Sequence, residues 1–98
     1  MLSRLFGRRV TVSVRVLGQV GDRLVRWEGR VSLKAPASLA GVLRATARLA
    51  GVDLQAALAA GAQPALLLDG RRIDLPDGLT ADVADGATIS WLMPMAGG

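Results

Sequence analysis

The 98-residue sequence has no cysteine, no histidine and no tyrosine, and only three aromatic residues, Phe6, Trp27 and Trp91. The first two absences exclude disulfides, thiolate nucleophiles, the usual zinc sites and imidazole acid–base chemistry. Scarcity of aromatics means that the core must be mainly aliphatic, built from Val, Leu, Ile and Ala. No apolar run approaches the roughly 20 residues that cross a bilayer as a helix, so no membrane association is expected. There is no Gly-Lys-Ser/Thr, and apart from a terminal pair the glycines stand singly, so a phosphate-cradling loop is missing as well. Lack of cysteine suits a cytoplasmic protein, the compartment we expect.

Charge is present but unevenly placed. The net value is +4, yet residues 1–49 hold ten Arg or Lys against Asp22 and Glu28, while residues 50–98 hold Arg71 and Arg72 against six Asp. Such asymmetry marks a face for an acidic partner or a nucleic acid, or simply solvation by arginine. The basic half lacks the exposed aromatics that single-stranded nucleic acid would stack on, so no nucleic-acid partner is expected. The six Asp fall at turns and caps, not at metal-ligand spacing, and no metal site is expected. Met1–Arg9 carries its charges after its short apolar part, the wrong order for a signal peptide, and reads as a solvated, flexible basic tail.

From Val10 the chain alternates. Val10, Val12, Val14 and Val16 share one face, with Thr11, Ser13 and Arg15 on the other, the period of a half-buried strand. Leu24 to Lys34 repeats it, with Val25, Trp27, Val31 and Leu33 together, and Gly18–Asp22 is the expected hairpin connection. Ser38 stands where a helix N-cap belongs. Leu39, Val42, Leu43, Leu49 and Ala50 then follow at helical spacing, interrupted by Thr46, whose hydroxyl is expected to bond a carbonyl one turn back. Gly51 closes that helix, and Asp53 caps a shorter one over residues 54–60. Ala65–Leu68 and Arg71–Leu75 read as strands joined by the tight turn Asp69-Gly70, and Asp85-Gly86 introduces a last strand over residues 87–93.

Two hairpins flanking a helix predict an α+β fold with a mixed sheet of about five strands, the main helix on its one apolar face and a short second helix. First and last strands then pair in parallel at the centre, with the helix as the crossover. This is the ubiquitin-like β-grasp arrangement. It gives one domain over residues 10–93 between the basic tail, 1–9, and a projecting tail, 94–98.

The sequence finishes Leu92-Met93-Pro94-Met95-Ala96-Gly97-Gly98. Pro94 cannot continue a ladder, and Gly-Gly is the thinnest thread a chain can make. This ending resembles the apolar–Pro–apolar–Ala–Gly–Gly finish of the small sulfur carriers, the family of the molybdopterin synthase small subunit and the thiazole-forming carrier. The hairpin Leu67-Leu68-Asp69-Gly70-Arg71-Arg72-Ile73 and the approach Leu79–Ile89 also resemble that family.

The resemblance implies a carrier, not an enzyme, with no cofactor of its own. A ubiquitin-activating-type enzyme would adenylate the Gly98 carboxylate with ATP and magnesium. A sulfurtransferase would convert it to a thiocarboxylate, and a synthase, such as a molybdopterin synthase large subunit, would take the sulfur. Gly97, Ala96, Met95 and Pro94 would thread into the partner. Leu92, Arg71 and Arg72 are candidate contacts, against the plainer readings that Leu92 fills the far side of the sheet and the arginines solvate the hairpin. The molybdopterin branch is preferred over thiazole or another acceptor. A ubiquitin-like protein modifier and a plain interaction or RNA-binding module are the alternatives.

Overall fold

A period of two with valine at alternate positions makes a strand with one dry face. In the computed structural model, which describes residues 8–93, that strand, β1, runs Arg9–Val20. Arg9, expected in the tail, already belongs to it. β2 (Arg23–Lys34) pairs with β1 antiparallel along its whole length, Val12 opposite Val31 and Val16 opposite Trp27. The connection is shorter than expected, because Gly18, Gln19 and Val20 continue the strand and only Gly21 and Asp22 turn. Val20 still finds a place in the core, which draws the ladder out to its end.

After β3 (Ala37–Ser38) the main helix, α1, spans Leu39–Ala50. Ser38 caps it, its hydroxyl oxygen accepting from Gly41 N–H at 3.1 Å. Gly51 closes it at φ +71°, where a left-handed residue returns its N–H to Ala47 O. Leu39, Val42, Leu43 and Thr46 are fully buried, and Thr46 Oγ1 donates to Val42 O at 2.8 Å. Leu49, expected on this stripe, is instead 60 % exposed. At about 100° per residue it lies only about 20° round the helix from the buried Val42, but it sits in the last turn, residues 47–50, where no residue is buried. Asp53 caps α2 (Leu54–Ala59) through Ala56 N–H.

β4 (Ala65–Leu68) and β5 (Arg71–Arg72) are joined through Asp69 and Gly70, both at positive φ, the geometry of a two-residue hairpin turn. β5 is shorter than the expected Arg71–Leu75. Ile73 N–H still donates to Leu66 O, but the chain then leaves toward Pro76 and the 3₁₀ turn Asp77–Thr80. β6 (Asp82–Val83) pairs with β3, a small ladder not foreseen, and Leu39 N–H donates to Ala81 O beside it. It ties the start of α1 to the approach of the last strand, β7 (Thr88–Leu92).

The chain is therefore an α+β protein with a mixed five-stranded sheet in the order β2-β1-β7-β4-β5. β1 and β7 run parallel, Val14 beside Ile89 and Val16 beside Trp91, and every other neighbour is antiparallel. α1 covers the face that carries the valines, Ile89 and Trp91, and apart from Trp91 the buried core is aliphatic, as the composition leads one to expect. Trp91 is fully buried, and its indole N–H has no hydrogen-bond partner among the described residues. No described helix is long and apolar enough to cross a membrane.

Two substitutions on α1 separate packing from hydrogen bonding. Leu43→Ala is expected to cost about 2–5 kcal/mol in urea unfolding, as for a fully buried leucine. Thr46→Val is expected to cost under about 1 kcal/mol. Its hydroxyl bonds a carbonyl of its own helix, so replacing it by a methyl strands no donor.

Candidate functional site

Parallel pairing brings the C-terminal ends of β1 and β7 to the same end of the sheet. There Met93 N–H donates to Leu17 O at 2.8 Å, carrying the ladder one step past Leu92. The Met93 carbonyl then rests on the Cα of Gly18, where any Cβ would collide with its oxygen. Gly18 also holds φ +114°, a conformation that L side chains rarely adopt. This glycine, read from sequence as part of a turn, instead lies under the root of the C-terminal segment. An isolated glycine within a strand pattern signals such a close backbone approach, and that signal was there to be read.

The five residues that the sequence singles out, Pro94, Met95, Ala96, Gly97 and Gly98, lie outside the described residues, as does the 1–7 part of the basic tail. Of the three candidate contacts, the structure brings two together. Strand register puts Leu92 beside Leu17 on one side and Ala65 on the other. In the next row Leu67 lies between Ser90 and Arg72. Side chains directly opposite one another share a face, so Leu17, Leu92, Ala65, Leu67 and Arg72 all stand on the sheet face that α1 does not cover. Leu17, Leu92, Ala65 and Leu67 are half-buried, and Arg72 is exposed. Arg71 pairs with Leu68 and points to the opposite face. It does not join them.

Charge surrounds this apolar strip on the β2 side. Arg26 stands opposite Leu17, and Arg15 opposite Glu28, with Arg15 Nε donating to Glu28 Oε2 at 3.0 Å. Both of these side chains are more than half exposed, so the pair contributes little stability, about 0–1 kcal/mol. Next to the strip the outer face sinks into a shallow depression of about 460 Å³, lined by Ser13, Arg15, Glu28, Arg30, Thr88 and Ser90. The site is thus an apolar strip with a mainly basic flank, beside the C-terminal end of β7. It carries no convergent acid, base or nucleophile, and among the described residues no three acidic side chains are grouped to hold a metal. No protein-family model matches the chain, and no curated protein matches it.

The root depends on Gly18 more than on the turn glycine Gly21. Gly21 is also at positive φ but has open space around its Cα, so Gly21→Ala is expected to cost about 1–2 kcal/mol. Gly18→Val is expected to cost more, about 1–3 kcal/mol for the backbone conformation alone, with displacement of Met93 in addition. Urea unfolding reads the difference. Hydrogen exchange of the Met93 amide reports the loosened root.

Proposed function

We propose that the chain is a β-grasp sulfur carrier in which the Gly98 carboxylate is the group that reacts. One observation carries the reading: β7 lies in the middle of the sheet, parallel to β1, and its end, one residue before Met93, lies beside an apolar strip, with Pro94–Gly98 next in the sequence. The helix-crossed parallel pairing supports the β-grasp assignment. The strip Leu17–Leu92–Ala65, with Leu67 and Arg72 next to it, supports docking of a partner at the root of the tail.

The chemistry follows from the terminus. A carboxylate is a poor electrophile. Adenylation by an ATP- and magnesium-using partner joins its oxygen to AMP and releases pyrophosphate. The terminal sulfur of a sulfurtransferase persulfide then attacks the acyl carbon and expels AMP, leaving an acyl disulfide. A thiol reduces that S–S bond and the thiocarboxylate remains. Gly98 has no side chain to obstruct either attack, and the carrier needs no cysteine because the sulfur is held on its own carbonyl. A synthase then accepts the sulfur, with a pterin precursor of molybdopterin as the preferred acceptor. Arg15, Arg26, Arg30 and Arg72 favour partner surfaces that are acidic around an apolar centre. We place the protein in the cytoplasm, where these partners work.

Intact-mass measurement tests the reading. With the cognate adenylating enzyme, MgATP and a persulfide donor, the protein should gain the mass difference between one sulfur and one oxygen. Deleting Gly97 and Gly98 should abolish the gain while leaving the unfolding midpoint unchanged. A protein whose mass never changes with its cognate enzyme is not a sulfur carrier. Gly-Gly remnants on lysines of other proteins, without any thiocarboxylate, would assign it as a protein modifier instead. A second measurement addresses docking: Leu92→Glu should weaken capture by the adenylating enzyme at least about tenfold, the effect of a charge placed in an apolar contact.

A further inference from the structure

β2 is the outermost strand on its side of the sheet and is 12 residues long. Ala35 N–H donates to Arg8 O, so in this hairpin the odd-numbered residues of the second strand turn their N–H and C=O toward β1. The even-numbered ones, Leu24, Arg26, Glu28, Arg30, Ser32 and Lys34, therefore turn theirs outward. Among the described residues one of these outward groups is engaged. Ser32 O accepts from the exposed Arg9 guanidinium at 3.1 Å, and a carbonyl has a second lone pair. So long a row of open donors and acceptors is a template for another strand.

The strand that fits it is β2 itself. Identical strands paired antiparallel about a two-fold axis must match even with even and odd with odd, or an outward-facing residue would meet an inward-facing one. Two registers use nearly all of the strand, one centred on Glu28 and one on Gly29. Centred on Glu28, that residue faces its own copy and Arg26 faces Arg30, so like charges meet at every central pair. Centred on Gly29, Glu28 faces Arg30 twice, and Arg26 faces Ser32. Leu24, 63 % exposed, lies along the aliphatic stem of Lys34. On the helix side Trp27 faces Val31 and Val25 faces Leu33, which covers the half-buried Trp27 and Leu33. Gly29 suits the axis for its own reason. The Trp27 ring lies 2.7 Å from where a Cβ would stand, so a side chain there is already excluded.

We propose that β2 pairs antiparallel with the β2 of a second copy about a two-fold axis at Gly29, joining two sheets into one. β1 stands between this edge and β7, so the root at Met93 stays open in both copies. Sedimentation velocity tests the pairing and its register together. The protein should show a concentration-dependent dimer. Glu28→Arg sets arginine against Arg30, and Arg30→Glu sets glutamate against Glu28. Each should raise the dimer dissociation constant more than about tenfold. Mixing the two variants in equal amounts should restore a dimer, because each copy then presents the charge the other lacks at both pairs. Both positions are exposed, and circular dichroism checks that each variant is folded. A protein that stays monomeric at millimolar concentration overturns the proposal. So does a dimer that either reversal leaves intact, or a mixture of the two folded variants that stays monomeric.

Discussion

The parallel ladder between β1 and β7 is the constraint on which the rest of the structure depends. Parallel neighbours cannot be joined by a tight turn, so the chain must cross from one end of the sheet to the other. α1 makes most of that crossing and in doing so buries the valine face. The start of β7 is then fixed by side chains where the ladder alone would fray. Asp85 Oδ1 accepts from Thr11 N–H and Asp69 Oδ1 from Thr88 N–H, each at 2.8 Å. Its far end is fixed by the bond from Met93 to Leu17 and by the bare Cα of Gly18. A strand held at both ends defines where the following residues begin.

What was legible in the sequence was whatever depends on neighbours close along the chain. The alternating valines, the Ser38 and Asp53 caps, the Gly51 closure and the Asp69-Gly70 turn each rest on a few adjacent residues, and all are found. Thr46 is the clearest case: a polar residue on a buried stripe has one local way to satisfy its hydroxyl, and it takes that way. The misreadings concern elements whose limits are set from a distance. β1 runs on through Gly18 because Val20 reaches the core and Met93 packs on the glycine. The β3–β6 ladder joins segments far apart in sequence, with two residues on each side and no pattern to announce them. β5 stops early because beyond Ile73 the chain turns off toward Pro76 and the Asp77–Thr80 turn. Counting sets Leu49 on the stripe, but counting does not say which part of a stripe the sheet reaches.

The site divides in the same way. Leu92 was readable as a residue of the far sheet face, since it alternates with the core residue Trp91. The company it keeps was not. Leu17, Ala65 and Leu67 come from two other strands, and only register reveals that they form one strip. Register also separates Arg71 from Arg72, neighbours in the sequence. Two adjacent residues in a strand must point to opposite faces, so at most one of them can flank Leu67. Gly18 carries the strongest structural argument at the site: a lone glycine after a strand pattern hints at a close backbone approach, but only register shows that Met93 is what approaches.

The uneven charge of the two halves also acquires a physical reading. Asp53, Asp69 and Asp85 are engaged with backbone N–H groups, at a helix start and around β7. They serve the fold from turns and a helix cap, not from the strands of the sheet. The basic residues of the first half do the reverse: Arg9, Arg15, Arg26, Arg30 and Lys34 stand exposed on the uncovered face of β1 and β2. On those two strands Glu28 is the sole acid. A uniformly basic edge would repel a copy of itself in every register, and a mixed edge without order would admit several. One carboxylate two positions from an arginine, with a glycine between them, admits a long self-pairing in one register and resists its nearest competitor. The same side chain also pairs with Arg15 beside the apolar strip. Glu28 thus links the edge of the sheet to the flank of the tail root, although no bond joins the two surfaces directly.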